Sequence, residues 1–263
     1  MRICLAEKKL EWESRHVDIV NKRDNFKKWY LKINSNGVVP TLEHDGRIVI
    51  ESNIILEYLD DSFPDTRLKP NVPFQISKMR LWLDRAETVV HKNVNVLSWN
   101  RRHIPRMKHL SHEQHLKILE QFPNPETRMV RINRLEHGVS DADEDFSKAR
   151  LSEFMDAMEE ELNGNTWLAG ENFSLADIAI APFIERFDAN NLDELIIRAK
   201  KHSIEGICLQ LCQQVDRGLI LTLKKQEHIR IDIFYNRLSD KKKSIIDLIF
   251  YIIFIMFNYI PFV

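Results

Sequence analysis

Glu51 and Ser52 are the side chains of this sequence whose position points most directly to ligand binding. They follow a β-type apolar run, residues 48–50, and Ser52 opens a segment with helical spacing of its apolar residues, 52–59. The N-terminus of a helix offers unpaired N–H groups and a partial positive charge, which suit a carboxylate. Serine is also a favoured helix N-cap. Because capping and carboxylate binding use the same geometry, the pattern predicts either role for Ser52, or both.

Val39-Pro40 is the second candidate, because it opens another β-type run, residues 38–42. Proline has no N–H to donate to a sheet, and the bond before proline is the one at which a cis peptide costs little. From the dipeptide alone, an ordinary proline at the start of a strand is the simpler interpretation.

Side chains for nucleophilic or metal chemistry are few. The three cysteines are too few for a disulfide framework and favour a reducing compartment; they are Cys4, Cys208 and Cys212. Three histidines are spaced three apart, at positions 109, 112 and 115, so they cannot all share one narrow helix face. No carboxylate or cysteine completes a ligand set there. We therefore expect no metal site.

The overall charge excludes large classes of partner. Lys and Arg total 38, Asp and Glu total 39, and the formal net charge is −1, so no bulk field attracts nucleic acid or acidic lipid. The first residues carry neither an apolar signal core nor a transit segment, which predicts a cytoplasmic protein.

The elements that must position these residues can be read from apolar spacing. Residues 1–10 resemble the end of a helix, and the loose alternation over residues 11–19 predicts a strand. Asp45-Gly46 predicts a tight hairpin turn, because both residue types tolerate positive φ. Residues 74–195 are mostly helical in pattern.

One helix start is marked by a further motif. Ser174 and Asp177 form an S-x-x-D capping box, with Phe173 and Ile178 on either side as a hydrophobic staple. This motif predicts the start of a buried helix over residues 175–187 and concerns folding rather than chemistry.

Three segments in this order resemble the glutathione transferase family: residues 34–42 (NSNGVVPTL), residues 45–59 (DGRIVIESNIILEYL) and residues 167–178 (WLAGENFSLADI). The resemblance covers about residues 1–195. It implies an α/β, thioredoxin-like N-terminal domain followed by an all-α helical bundle domain, with glutathione as cosubstrate. We expect domain boundaries at 1–66 and 74–195, with an atypical extension over 196–263.

The resemblance also implies roles for the candidate residues. The bond before Pro40 is expected to be cis, so that the backbone N–H and C=O of Val39 pair with the cysteinyl backbone of glutathione like an added strand. The hydroxyl and backbone N–H of Ser52 are expected to bind the γ-glutamyl carboxylate. The carboxylate of Glu51 is expected to face the ligand's ammonium group.

Two regions depart from the family pattern. The chain opens in what resembles the second half of the family's first helix, so we expect the first strand and the catalytic Ser, Tyr or Cys to be absent, and the catalytic residue is unknown. Cys4 is expected to be a packing residue. Of the 20 residues in 244–263, 16 are apolar; a translation artefact, a tail anchor and a buried or partner-binding helix remain open.

The expected chemistry is attack of the glutathione thiolate on an electrophilic small molecule, by conjugation or by reductive thiol exchange. Residues 100–145, with the run FPNPETR at 122–128, resemble the bacterial dehalogenase-like and β-etherase-like subgroup. A homodimer is expected, and a membrane contact could arise only through 244–263. The alternative is a catalytically inactive glutathione-binding or scaffold protein on the same fold.

Overall fold

The computed structural model describes residues 1–190 together with 192 and 195. The predicted extension over 196–263, and with it the apolar tail, lies outside the described residues. The elements of the first part are α1 (Arg2–Glu7), a 3₁₀ turn (Asp24–Phe26), α2 (Lys28–Leu31), β1 (Thr41–His44), β2 (Arg47–Ile50) and α3 (Ser52–Ser62). The elements of the helical part are α4 (Pro73–Arg85), α5 (Lys92–Ser98), α6 (Ile104–Met107), α7 (His112–Leu119), α8 (Pro125–His137), α9 (Asp141–Gly164) and α10 (Leu175–Ala189).

The hairpin predicted at Asp45-Gly46 is confirmed. Strands β1 and β2 pair antiparallel, with Thr41 opposite Ile50 and His44 opposite Arg47. Asp45 has φ 51° and Gly46 has φ 72°, which is the pair of positive values that a two-residue turn of this kind needs.

The strand predicted over residues 11–19 is wrong. Within the described residues the sheet contains only β1 and β2, so this segment has no strand beside it to complete a hydrogen-bond ladder. Its end is instead closed by Asp18, whose Oδ1 accepts from the backbone N–H groups of Val20 at 2.9 Å and Asn21 at 2.7 Å. The alternation of apolar residues could not show that a neighbouring strand is missing, because a sequence pattern does not reveal whether a segment has a pairing partner.

A continuous helical path runs from α4 to α6. Two wide π-helical turns interrupt it, at Ala86–His91 and Trp99–His103. Such turns shift the faces of a helix and often lie near functional sites. The second turn brings Trp99 and His103 to face α8, where Trp99 Nε1 donates to the carbonyl of Arg134 at 3.1 Å.

One apolar core joins the hairpin end of the chain to the helical part. Side chains of α1 and α3 pack in the same buried cluster as those of α4, α9 and α10. Members of this cluster include Leu5, Ile55, Leu59, Met79, Trp82, Leu151, Met155 and Leu175. Cys4 is fully buried in this cluster, as predicted for a packing cysteine.

A buried ion pair crosses the core between α1 and α3. Lys8 Nζ lies 2.9 Å from Asp60 Oδ1, and each side chain is 1% exposed. Asp60 also accepts from the backbone N–H groups of Leu68 at 2.8 Å and Lys69 at 3.0 Å. Three donors thus take the place of water at the Asp60 carboxylate. Such compensation is the condition for a buried charge to be tolerated.

The predicted capping box at the start of α10 is confirmed and is buried. Asp177 accepts from the backbone N–H and the hydroxyl of Ser174, both at 2.9 Å, and from the backbone N–H of Leu168 at 3.1 Å. Burial raises the pKa of Asp177 to about 6, although the three donors favour the ionised form. The box therefore also ties the loop at residues 167–170 to the helix. None of the described helices is long and apolar enough to span a bilayer.

Replacing Asp177 with alanine tests this buried box. Asp177→Ala leaves two buried N–H groups without an acceptor, and each costs about 1–3 kcal/mol, so we expect the free energy of unfolding to fall by roughly 3 kcal/mol. The measurement is urea denaturation at a pH above the pKa of the Asp177 carboxyl group. Asp143→Ala is the matched control, because Asp143 and Ser140 form the same S-x-x-D arrangement on the exposed start of α9. Equal losses in the two variants would contradict the account.

Candidate functional site

The loop that carries Val39-Pro40 is held from beneath by two buried side chains. The carbonyl oxygen of Val38 accepts from the hydroxyl of Tyr30 at 2.6 Å and from Nδ2 of Asn34 at 2.8 Å. Asn34 Nδ2 also reaches Thr41 Oγ1 at 3.1 Å, so the same amide holds the loop on both sides of the proline. Tyr30 and Asn34 are almost completely buried, so these bonds are shielded from competing water.

The backbone groups of Val39 are left without partners by this arrangement. The bond between Val39 and Pro40 is cis, as the resemblance implies. Within the described part of the chain no backbone or side-chain group pairs with the N–H or the C=O of Val39, whose side chain is exposed. An extended backbone with a free donor and a free acceptor can bind a second extended peptide segment.

Glu51 and Ser52 lie at the same end of the hairpin as Val39 and Pro40. Thr41 and Ile50 are the last residue pair at this end of the hairpin, so Pro40 and Glu51 are the residues next to that pair along the two strands. The two dipeptides singled out by the sequence are therefore neighbours.

The start of α3 differs in one detail from the expected cap. The N-cap is Glu51, and Ser52 is the first helical residue, with no side-chain capping bond. The Ser52 hydroxyl is therefore not used by the helix itself. Asn53 Nδ2 donates to the carbonyl of Leu83 at 2.8 Å, which fixes this first turn against α4.

Glu51 has a strained backbone. Its φ of 68° and ψ of 121° are rarely adopted by a residue with a side chain, and such conformations cost about 1–3 kcal/mol. Its carboxylate accepts from Asn36 Nδ2 at 3.0 Å, which links it to the loop before Pro40. Strain that is kept in place by neighbouring contacts is typical of functional sites.

A segment of the helical part reaches this loop. Gly37 has φ 63°, and a Cβ at this position would lie 3.2 Å from a ring carbon of Phe26 and 3.2 Å from Pro123. Phe26 packs edge-on against Phe122, with ring centroids 4.8 Å apart. The connection between α7 and α8 therefore lies against the loop beside the candidate site.

Cys4 is not suited to thiolate chemistry. Its side chain has no exposed surface, and burial raises the pKa of the thiol to about 11. The thiol is therefore neutral at physiological pH.

Sequence reasoning missed the two residues that hold the loop. Tyr30 and Asn34 lie in a polar, aromatic stretch that gave no clear element. A usable signal was present: an asparagine four residues before Val38 and seven before Thr41 is close enough to bond both sides of the proline.

Two family models match this chain. The one described as the N-terminal domain of glutathione S-transferase matches residues 1–62, and the one described as the C-terminal domain matches residues 132–203. The first range contains both candidate dipeptides.

Characterised relatives agree with the expected subgroup. Protein LigF of Sphingobium sp. strain SYK-6 is 34% identical over 192 residues, which are 69% of this chain and 72% of that protein. Its crystal structure, described as that of a β-etherase, superposes with a TM-score of 0.67 at 28% identity and covers 86% of this chain and 93% of that one. Tetrachloro-p-hydroquinone reductive dehalogenase of Sphingobium chlorophenolicum is 25% identical over 200 residues, covering 73% and 78% of the two chains.

These matches confirm the fold class of a thioredoxin-like N-terminal part followed by a helical part, and they confirm the resemblance to the dehalogenase-like and β-etherase-like subgroup. Glutathione is the cosubstrate of that family. On the strength of the hairpin, the loop before Pro40 and these matches, the chain belongs to the glutathione S-transferase family.

Proposed function

We propose that this chain binds glutathione at the loop around Val39 and the first turn of α3, and that it directs the glutathione thiolate onto an electrophilic small molecule. The observation that carries the proposal is the unpaired backbone of Val39, in the loop that meets the hairpin at the same end from which Ser52 begins α3. These groups fit a γ-glutamyl peptide: an extended segment at Val39, and a carboxylate at the N-terminus of α3.

Each residue has a separate task in this proposal. The N–H and C=O of Val39 pair with the cysteinyl backbone and so orient the sulfur. The hydroxyl and N–H of Ser52 bind the γ-glutamyl carboxylate, with the positive end of α3 behind them. The carboxylate of Glu51, held by Asn36, faces the ligand's ammonium group.

The bond changes follow from thiolate chemistry. The thiolate sulfur forms a bond to an electrophilic carbon, and the leaving group departs with the electron pair of the broken bond. The names of the two relatives suggest an aryloxide of an ether or a halide of an aromatic ring as leaving group. In reductive thiol exchange, the thiolate of a second glutathione then attacks the sulfur of the thioether and forms glutathione disulfide, while the released carbon takes up a proton.

The residue that stabilises the thiolate is not assigned. Cys4 is unsuitable because it is buried and its thiol pKa is raised. We therefore propose positioning as the contribution of the described residues.

The proposed assembly is a cytoplasmic homodimer with domains over 1–66 and 74–195. Helix α4 exposes Phe74 and Leu81, at 68% and 47%. Together with Trp82 they line an open groove of about 550 Å³ against α9. Apolar side chains this exposed favour burial against a partner, here a second copy of the chain.

Sedimentation equilibrium tests the dimer. We expect Leu81→Glu to shift the chain to a monomer, because a buried unpaired charge is costly at an interface. Phe146→Glu is the control, since Phe146 is 65% exposed on α9 and is not part of that groove. A monomeric wild-type chain, or a Leu81→Glu variant that stays dimeric, would contradict the proposal.

Isothermal titration with glutathione tests Ser52. Ser52→Ala removes one charge-assisted hydrogen bond, so we expect binding to weaken by about 1.5–3 kcal/mol. Ser77→Ala is a matched control, because its hydroxyl bonds to the carbonyl of Phe74 on exposed α4. Unchanged affinity in Ser52→Ala would remove Ser52 from the site.

The same titration tests the anchoring of the loop. Asn34→Ala releases Val38 and Thr41 from their shared donor, and we expect glutathione affinity to fall by roughly tenfold, because the free loop must be ordered on binding. Asn93→Ala is the control, because it removes a similarly buried amide that donates to a backbone carbonyl, that of Val89 at 2.7 Å, away from the loop, and it should change affinity less. If Asn34→Ala lowers the melting temperature but leaves affinity unchanged, the anchoring does not serve the site.

A further inference from the structure

A group of arginines surrounds one histidine in the helical part of the chain. His103 lies in the wide turn after α5, and the four charged groups that act most strongly on it are all cations: Arg102, Arg106, Arg131 and Arg186. They come from three separate elements, namely the helical path of His103 itself, α8 and α10. Burial and these arginines lower the pKa of His103 to about 4, so the imidazole is neutral at physiological pH.

Two hydrogen bonds of Arg134 hold α8 against the helical path that carries His103. Trp99 Nε1 donates to the carbonyl of Arg134, whose guanidinium donates to Asn95 Oδ1 at 3.0 Å. His103 lies one turn after Trp99 and stacks on its ring at 5.5 Å. Arg131 lies about one turn before Arg134, so the packing of these helices brings it toward His103.

Arg131 is a half-buried cation without a carboxylate partner among the described side chains. Its guanidinium makes no ion pair there, and the charged group that acts on it is Arg134, a second cation. Burial and Arg134 lower the pKa of its guanidinium. Arg101, on the wide turn, differs because it pairs with Glu144 at 2.9 Å. A partly desolvated cation without a counter-ion gains more from an anionic ligand than a solvated one does.

Aromatic rings connect Arg131 to the candidate glutathione site. The guanidinium lies over the face of Phe122, 4.4 Å from the ring centroid. Phe122 packs edge-on against Phe26, and Phe26 is in contact with Gly37 at the start of the loop. Two packed rings, Phe122 and Phe26, therefore connect the charge of Arg131 to the loop that carries Val39.

We propose that Arg131, with the arginines around His103, forms an anion-binding subsite for an aromatic ligand that carries a carboxylate, sulfonate or phenolate group. The proposal rests on the proposed function in one respect: it takes that ligand to be the electrophile that meets the glutathione thiolate. In this arrangement Phe122 contacts the ring and Arg131 contacts the anionic group.

Fluorescence titration with a pair of probes tests the subsite without glutathione or turnover. The probes are 1-anilinonaphthalene-8-sulfonate and N-phenyl-1-naphthylamine, which share their rings and differ by the sulfonate. We expect Arg131→Gln in the full chain to lower the affinity for the sulfonate probe roughly tenfold or more, as the loss of one charge-assisted contact implies. The affinity for the neutral probe should stay within about twofold of that of wild type. Arg128→Gln removes the same charge one turn earlier on the same helix, where the guanidinium donates to the carbonyl of Glu120 instead of lying over Phe122, and it should change the affinity for neither probe by more than about twofold.

Three results would overturn the proposal. Equal affinity of the sulfonate probe for wild type and Arg131→Gln would mean that the arginine binds no anion. Equal weakening of both probes would mean that only its packing on Phe122 matters. If Arg128→Gln lowers the affinity for the sulfonate probe as much as Arg131→Gln does, the effect comes from the general positive charge of α8 and not from Arg131.

A carboxylate could also come from glutathione itself, and a second titration separates the two sources. If Arg131 binds the glycyl carboxylate, Arg131→Gln should weaken the binding of glutathione but not the binding of its glycyl ethyl ester. This result would overturn the assignment of the subsite to the electrophile. We expect both to bind the variant as they bind wild type. If glutathione does not bind even the wild-type chain, the proposed function fails, while the probe pair still decides the anion subsite.

Discussion

The two hydrogen bonds that Tyr30 and Asn34 donate to the carbonyl of Val38 determine what the neighbouring residue can do. A backbone carbonyl in a folded chain needs a partner, and here the buried side chains of Tyr30 and Asn34 supply it instead of a neighbouring strand. The chain is thereby fixed just before Pro40, and the next peptide group has no internal partner. The N–H and C=O of Val39 stay available because the residues on both sides of them are held.

The rest of the site follows from this fixed loop. The last hairpin pair, Thr41 with Ile50, leaves Val39 and Ser52 at the same end of the hairpin, and the contact of Asn53 with α4 keeps the first turn of α3 in place. Across the loop, Gly37 leaves room for Phe26 and Pro123, so the segment between α7 and α8 can approach. The hairpin part thus offers backbone and hydroxyl groups that suit a peptide. The helical part offers rings and cations, and this division separates recognition of a common cosubstrate from recognition of a variable second substrate.

Local sequence signals predicted the parts of the structure that depend on local geometry. Asp45-Gly46 specified its turn because few residue types adopt positive φ twice in succession, and Ser174 with Asp177 specified the start of α10. The family resemblance supplied the candidate dipeptides, and both lie at the same end of the hairpin. Non-local features were missed or wrong. The alternation over 11–19 has no pairing strand among the described residues, and the arginines around His103 come from elements far apart in sequence.

Amide hydrogen exchange at Val39 measures the central claim most directly. The account predicts that the free chain exchanges the Val39 N–H rapidly, because no group accepts it, and that saturating glutathione slows this exchange at least tenfold, since the amide then donates to the bound peptide. The amides of β1 and β2 already pair within the hairpin and should change much less. Glutathione binding that leaves the exchange of Val39 unchanged would contradict the account.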